Sequence, residues 1–163
     1  MDRHELNALP TIRVEWEPLL DTVRGPAIED SHLSPFLWID TGQITCPMLL
    51  GEGQAEHLID TKRLLKIPVW DATQCLALRA QFANSLCDGV MAQKALEALS
   101  SHQPFEAFDR VLAEVPIEAT RWRDEERLAA ARLICDWLQN EGYAPDPSPD
   151  LERRILEFPI RRG

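Results

Sequence analysis

The fold is decided between residues 64 and 86, where the sequence reads LLKIPVWDATQCLALRAQFANSL. The first part, from Leu64 to Pro68, is an apolar run ended by a proline, which is typical of a short β-strand. Asp71 then suits the N-cap of a helix, and apolar residues follow it at helical spacing through about Leu86. The sequence therefore predicts strands from Phe36 to Pro68 and helices from Asp71 onward.

The region before this segment predicts a β-hairpin and a less regular N-terminus. Residues 36–39 form an aromatic and β-branched run, Thr41-Gly42 supplies the turn, and residues 43–46 return. The sequence around Gly51 and Gly53 predicts a flexible loop. In the first 34 residues, a short helix interrupted near a proline is predicted from one apolar face: Val14, Trp16, Leu19, Leu20 and Val23.

The region after Leu86 predicts three further helices, over residues 89–100, 104–115 and 117–141. Pro104 suits the first turn of the second of these, and Gly142 suits the C-cap of the last. The sequence thus predicts an α+β fold, with a small N-terminal antiparallel β element followed by a bundle of about four helices.

The length of 163 residues predicts one domain with additions at both ends. We expect residues 1–34 to form an N-terminal segment packed on the core and residues 35–142 to form the core α+β domain. For residues 143–163 the sequence predicts a Pro-rich linker and a C-terminal tail that either docks on the core or is disordered.

The composition indicates a soluble, acidic, cytoplasmic protein. The net charge of −10 argues against general nucleic-acid binding, because phosphate contacts require a basic face. No stretch has the roughly 20 apolar residues of a membrane span, and the N-terminus has no apolar signal region. Each of the four cysteines lies in an apolar segment without C-x-x-C spacing, which indicates core thiols in a reducing compartment.

Several blocks of the sequence, in order and spacing, resemble an uncharacterised bacterial protein family (UPF series, number 0158). They are FLWIDTGQI, LLKIPVWD, LRAQFANSL, ALSSHQPFEAFDRVLAEVPIEATRW and RLAAARLICDWLQNEGY, and they cover roughly residues 36–143. The chain departs from the family at residues 123–125, where Arg-Asp-Glu stands in place of further aromatic residues. The resemblance implies a small α+β cytosolic protein with no agreed activity, and it carries over no catalytic residue.

The motifs of common catalytic and cofactor sites are not found in the sequence. It contains no G-x-S-x-G, no H-E-x-x-H and no glycine-rich phosphate loop followed by lysine. The four histidines form no i, i+4 pair that would suggest a metal site. We therefore expect no cofactor and no metal, and the residues favour a protein without catalytic activity.

One weak alternative is a metal-dependent phosphodiester hydrolase that uses Asp40, Asp60 and Lys62. A carboxylate at one strand end, with acid-x-lysine on a neighbouring strand, resembles sites where two carboxylates hold Mg²⁺ and a lysine activates water. A β-turn at Asp40-Thr41-Gly42 accounts for an aspartate at this position without any role in metal binding.

The candidate partner-binding residues are Arg121, Trp122 and Arg123. One interpretation is that Trp122 closes the end of the core over Phe105 and Phe108, with the arginines solvated. The other is a contact point, because tryptophan and arginine are both enriched in interface hot spots. The preferred function is a non-catalytic binding or regulatory protein that acts by protein–protein contacts with a partner the sequence does not identify. An acidic inhibitor that mimics nucleic acid is a further alternative, supported by charge alone.

Overall fold

The computed structural model describes residues 9–146. The predictions for residues 1–8, and for the linker and tail from Pro147 onward, lie outside the described residues. The chain divides into two compact units. Among the described residues, the first comprises residues 9–69 together with residues 128–146, and the second is the contiguous segment Trp70–Arg127.

Seven helices and five short strands lie within residues 9–146, so the prediction of an α+β fold is confirmed. No helix in this part of the chain combines the length and the apolar character needed to cross a membrane. In chain order the elements are β1 (Thr11–Ile12), α1 (Trp16–Arg24), β2 (Phe36–Trp38), β3 (Gln43–Thr45), α2 (Pro47–Leu50), α3 (Glu52–Asp60), β4 (Leu64–Lys66), α4 (Ala72–Asn84), α5 (Gly89–Leu99), α6 (Pro104–Ala113), α7 (Pro116–Asn140) and β5 (Ala144–Pro145).

The predicted hairpin is present as β2 and β3, which pair antiparallel with Leu37 opposite Ile44. β4 pairs antiparallel with the other edge of β2, so the strand order is β3-β2-β4. In the hairpin turn Gly42 has a φ of 71°. A Cβ atom on Gly42 would lie 2.2 Å from the backbone oxygen of Arg13. Glycine is therefore required both for the backbone conformation of the turn and for the close approach of Arg13.

The β structure is not confined to one antiparallel element ahead of the helices, so this detail of the predicted fold was wrong. β1 and β5 form a second, parallel pair in which Thr11 lies opposite Ala144. In addition, α2 and α3 occupy the segment between β3 and β4 that was predicted to be a flexible loop. The glycines misled the prediction because Gly51 lies between the two helices and Gly53 lies in the first turn of α3. Glycine costs little stability at such helix ends.

The N-terminal apolar face is carried by α1, in which Leu19, Leu20 and Val23 are fully buried. Pro18 does not interrupt this helix, because it is the third residue, where a backbone N–H would have no partner within the helix. The indole N–H of Trp16 donates to the backbone oxygen of Asp146 at 3.0 Å. This bond joins the start of α1 to the residue that follows β5.

The second unit begins at the predicted cap of α4. The carboxylate of Asp71 accepts from the backbone N–H of Gln74 at 2.7 Å, and the Gln74 side chain accepts from the backbone N–H of Asp71 at 2.9 Å. This reciprocal pair is a capping box, which satisfies two donors that the first turn leaves free. Within the unit, α4, α5 and α6 pack on one another around a buried cluster: Phe82, Ala83, Leu86, Met91, Ala95, Phe108, Leu112 and Trp122.

The four predicted helices of the C-terminal half are present as α4 to α7, but the prediction that they form one bundle was wrong. α7 is 25 residues long; it begins in the second unit and, from Leu128, belongs to the first. Four residues of this later part are buried: Ala130, Ala131, Ile134 and Leu138. A helix whose apolar residues serve two different cores cannot be one member of a four-helix bundle along its whole length.

Candidate functional site

The carboxylate of Asp40, one of the candidate metal ligands, has protein partners of its own. It forms an ion pair with Arg63 and accepts a hydrogen bond from the indole N–H of Trp38 at 3.1 Å. Asp60 is the last residue of α3, and Lys62 follows in the left-handed conformation with a φ of 56°. The predicted placement of Asp60 and Lys62 on a strand was therefore wrong, because this segment is the end of a helix and a turn.

The described residues hold no cluster of metal ligands, and burial affects the thiols of Cys75 and Cys135. Within residues 9–146, no group of three or more His, Cys, Asp or Glu side chains could hold a metal ion. Burial raises the pKa of Cys135 to about 11, with a smaller contribution from the charge of Asp136. Burial also raises the pKa of Cys75, although Arg79 opposes the rise. Both thiols are therefore protonated at neutral pH, and a protonated thiol is a poor nucleophile.

Trp122 lies inside the core of the second unit. It is only 5% exposed, and its ring meets Phe82 and Phe108 edge-on, with centroids 5.2 and 5.5 Å away. The guanidinium carbon of Arg79 lies 5.2 Å from the Trp122 ring centroid. Of the two sequence interpretations, the structure shows core packing, with Phe108 as one of the predicted neighbours. A partner cannot reach the face of this indole.

Arg121 and Arg123 flank Trp122 in different surroundings. The Nε atom of Arg121 lies 2.8 Å from the Glu118 carboxylate, and another nitrogen of its guanidinium donates to the Ser85 hydroxyl at 3.1 Å. The same guanidinium lies over the ring of Phe82, 4.5 Å from its centroid. Arg123 is exposed. Arg121 therefore belongs to the packing of the second unit, and Arg123 is the member of the trio that faces solvent.

The first unit exposes large apolar side chains at α2. Met48 is 63% exposed and Leu49 is 74% exposed. The backbone N–H of Met48 donates to the carbonyl oxygen of His32 at 3.0 Å. The bond ties the segment that carries His32 to α2, and the residue that follows His32 is Leu33, which is 39% exposed. Leu33, Met48 and Leu49 together are called the α2 surface below.

Leu50, the last residue of α2, holds this helix on the core, and the exposed Met48 and Leu49 do not. Leu50 packs against a buried cluster formed by Phe36, Leu58 and Leu64. Successive residues of a helix point about 100° apart. The inward direction of Leu50 therefore leaves Met48 and Leu49 pointing outward. The sequence CPMLL does not predict which of its three apolar residues, Met48, Leu49 or Leu50, is buried, because they are adjacent in the chain.

The chain around the α2 surface is acidic. Residues 25–61 contain no lysine or arginine and six acidic residues, all of them exposed: Glu29, Asp30, Asp40, Glu52, Glu56 and Asp60. The carboxylate of Asp30 accepts from the backbone N–H of His32, the residue before Leu33, at 2.9 Å. Glu52 begins α3 directly after Gly51. We call Glu29, Asp30 and Glu52, the exposed acids nearest in sequence to Leu33 and to α2, the acidic rim.

The second unit has exposed apolar residues in a different electrostatic setting. Val90 is 69% exposed and Ile117 is 76% exposed. Lys94, one helical turn after Val90 on α5, pairs with Glu114 at 3.7 Å. Both signs of charge are therefore present near Val90, whereas the segment that carries the α2 surface, residues 25–61, contains no lysine or arginine. This contrast makes Val90 a suitable control position.

A family model described as Uncharacterised protein family (UPF0158) matches residues 51–158. The chain belongs to this family. The resemblance drawn from the sequence blocks is confirmed, although the match lies further toward the C-terminus than residues 36–143. No curated protein and no solved structure gives a match to the chain.

The UPF0158 match contains the whole second unit and thus the cluster around Trp122. It also contains Leu58 and Leu64, which hold α2 in place, whereas the α2 surface itself precedes residue 51. The α2 surface therefore lies outside the family match, and only the residues that anchor it lie within.

Proposed function

We propose that this protein is a non-catalytic binding protein that acts through protein–protein contacts, and that the α2 surface is its contact site. The observation that supports this is the exposure of Met48 and Leu49, adjacent in α2 and each more than 60% exposed, on a helix that is bonded to the segment carrying the partly exposed Leu33. Contiguous exposed apolar groups bordered by polar ones mark interaction sites more often than scattered single ones do.

The fold itself has no need of apolar side chains at these positions. Leu50 anchors α2 in the core, so polar residues at positions 48 and 49 would serve the first unit equally well. Full burial of a methionine or leucine side chain contributes about 1.5–3 kcal/mol. A partner that covers Met48 and Leu49 would gain this contribution, which folding leaves unused.

The surroundings of the candidate reactive groups support the non-catalytic part of the proposal. The carboxylate of Asp40 is engaged by Arg63 and Trp38, and a carboxylate held in this way has less capacity to bind a metal. The thiol of Cys135 is kept protonated by its burial. Asp40 is exposed but its carboxylate is occupied, and Cys135 lacks both the exposure and the thiolate form that a nucleophile requires.

The sequence candidates Arg121, Trp122 and Arg123 have a smaller part in this proposal. Trp122 supports the core, and Arg121 is fixed by Glu118 and Ser85. Arg123 is the one of the three whose side chain is exposed to a partner. We assign the main contact to the α2 surface, because Met48 and Leu49 leave most of their side chains exposed.

The test is affinity capture of the tagged full chain from its native host, followed by quantitative mass spectrometry. We expect a stoichiometric partner with the wild type and with Val90→Gln, and a loss of at least about tenfold in its recovery with Met48→Gln/Leu49→Gln, which removes most of the apolar contact. Both variants replace exposed apolar residues by glutamine, so they are matched in chemistry. Equal recovery with all three proteins would refute the assignment to the α2 surface.

A further inference from the structure

We infer that the α2 surface binds a basic amphipathic helix of a partner protein. In this arrangement, apolar residues at i, i+3 or i+4 spacing cover Met48 and Leu49, and flanking lysines or arginines meet the acidic rim. The inference rests on the proposed function and names the chemistry of the partner.

Charge complementarity is the first argument. The α2 surface lies in the segment of residues 25–61, which has six exposed acids and no lysine or arginine. The Asp30 carboxylate bonds the backbone of His32, the residue before Leu33, and Glu52 follows α2 after one residue, so the chain carries a carboxylate close to each part of the α2 surface. A segment that pairs apolar residues with basic ones would satisfy both features of this surface.

The backbone of α2 is the second argument, because it distinguishes a helix from an added strand. The N–H of Met48 donates to His32, and the N–H of Leu49 donates to the carbonyl oxygen of Cys46 at 3.1 Å. These two N–H groups of α2 are engaged, so a partner strand cannot pair with them. A helix satisfies its own backbone groups and presents side chains alone, which is what the α2 surface can accept.

The same charges argue against other occupants. In a symmetric dimer through the α2 surface, the same patch would be used by both copies, so two acidic rims would face each other and repel. Anionic lipid headgroups and nucleic-acid phosphates would be repelled by the same carboxylates. A basic protein segment is the occupant for which the rim is favourable.

The experiment measures binding of the full chain to a synthetic, fluorescently labelled amphipathic peptide made of leucine and lysine, by fluorescence anisotropy. The matched probe is the same peptide with glutamate in place of lysine. We expect the Leu/Lys peptide to bind and the Leu/Glu peptide not to bind. Met48→Gln/Leu49→Gln should weaken the Leu/Lys peptide by about tenfold or more, since both apolar contacts are lost, whereas Val90→Gln should leave its affinity unchanged.

The electrostatic part is tested with Glu29→Gln/Glu52→Gln. We expect this variant to bind the Leu/Lys peptide about threefold more weakly at low salt, with the difference disappearing near 1 M salt, because salt screens exposed charges. Glu106→Gln, at an exposed position of α6, is the control. A loss of the same size per charge in Glu106→Gln would show attraction to the net charge alone and would overturn the inference.

Two results separate this inference from the proposed function. Suppose that Met48→Gln/Leu49→Gln loses its captured partner but the wild type does not bind the Leu/Lys peptide. The α2 surface then binds a protein, and the inference that this partner is a basic helix is wrong. A competitor peptide of residues 147–163, which contains Arg153, Arg154, Arg161 and Arg162, covers the remaining possibility. If it displaces the Leu/Lys probe at equal or lower concentration than the unlabelled probe does, the occupant is this chain's own C-terminus and not a partner.

Discussion

The aromatic cluster of the second unit and the α2 surface of the first unit are both rich in large apolar side chains, yet one is buried and the other is exposed. Trp122 is 5% exposed among Phe82 and Phe108, whereas Leu49 is 74% exposed. The difference follows from helix length. α4 has 13 residues and α6 has 10, so both present several apolar residues on one face, and α2 has only four residues.

A single helical turn can direct one or two side chains into a core and must leave the rest outside. In α2, Leu50 has the inward position, and Met48 and Leu49 remain outside. Similar residue types therefore contribute to stability in one region and are available for binding in the other. The predictions below test this division of roles.

The largest expected effect on stability is in the buried aromatic cluster of the second unit. Trp122→Ala should lower the free energy of unfolding by about 3–5 kcal/mol, because it removes a buried aromatic ring and leaves a cavity beside Phe82 and Phe108. Urea denaturation followed by circular dichroism would measure this change. Arg123→Ala, at the exposed neighbouring position, should change the free energy by no more than about 0.5 kcal/mol. Comparable losses in the two variants would show that Trp122 is not part of the core.

A smaller effect is expected at the hairpin turn of the first unit. Gly42→Ala should destabilise the chain by about 1–3 kcal/mol, because the turn requires a positive φ and the new Cβ would approach the Arg13 carbonyl oxygen. Gly53→Ala in α3 is the control, since a Cβ there meets nothing within 4 Å. It should leave the midpoint of thermal unfolding unchanged or slightly raised. A fall in both midpoints would mean that loss of glycine, rather than this close approach, is harmful.

The smallest effect on stability is expected at the exposed α2 surface. Met48→Gln/Leu49→Gln should change the free energy of unfolding by no more than about 0.5 kcal/mol, because neither side chain contributes to a buried cluster. Chemical denaturation of the purified variant measures it. Leu50→Gln is the matched comparison within the same turn and should be clearly more destabilising, since Leu50 packs on Phe36 and Leu58. If the double variant were the less stable of the two, the α2 surface would be structural.

Sequence patterns predicted the fold where the signal was local. The cap at Asp71, the turn at Thr41-Gly42 and the apolar stripes of α4 to α7 each depend on residues a few positions apart, and each is present. The pairing of Thr11 with Ala144 was not predicted, because two-residue strands have no periodic pattern and their partners are distant in the chain. α3 was missed because Gly51 and Gly53 resemble a loop.

The candidate site could be predicted only in part, because burial depends on tertiary contacts. Trp122 between two arginines fits both a core residue and a contact residue, and only its contacts with Phe82 and Phe108 distinguish the two. Met48 and Leu49 have the sequence of a core segment. Their exposure depends on which neighbour in the same turn, Leu50, faces Leu58 and Leu64. No local pattern contains that information.

The discontinuity of the first unit has a consequence for the order of events during synthesis. The segment Trp70–Arg127 is contiguous, so its core can close as soon as α7 begins to emerge from the ribosome. The first unit must wait longer, because β1 has no partner until Ala144 has been made and α1 cannot bond to Asp146 before then. Until that moment α1, which carries the apolar residues Leu19, Leu20 and Val23, lacks its bond to Asp146, and transiently exposed apolar segments are prone to aggregation.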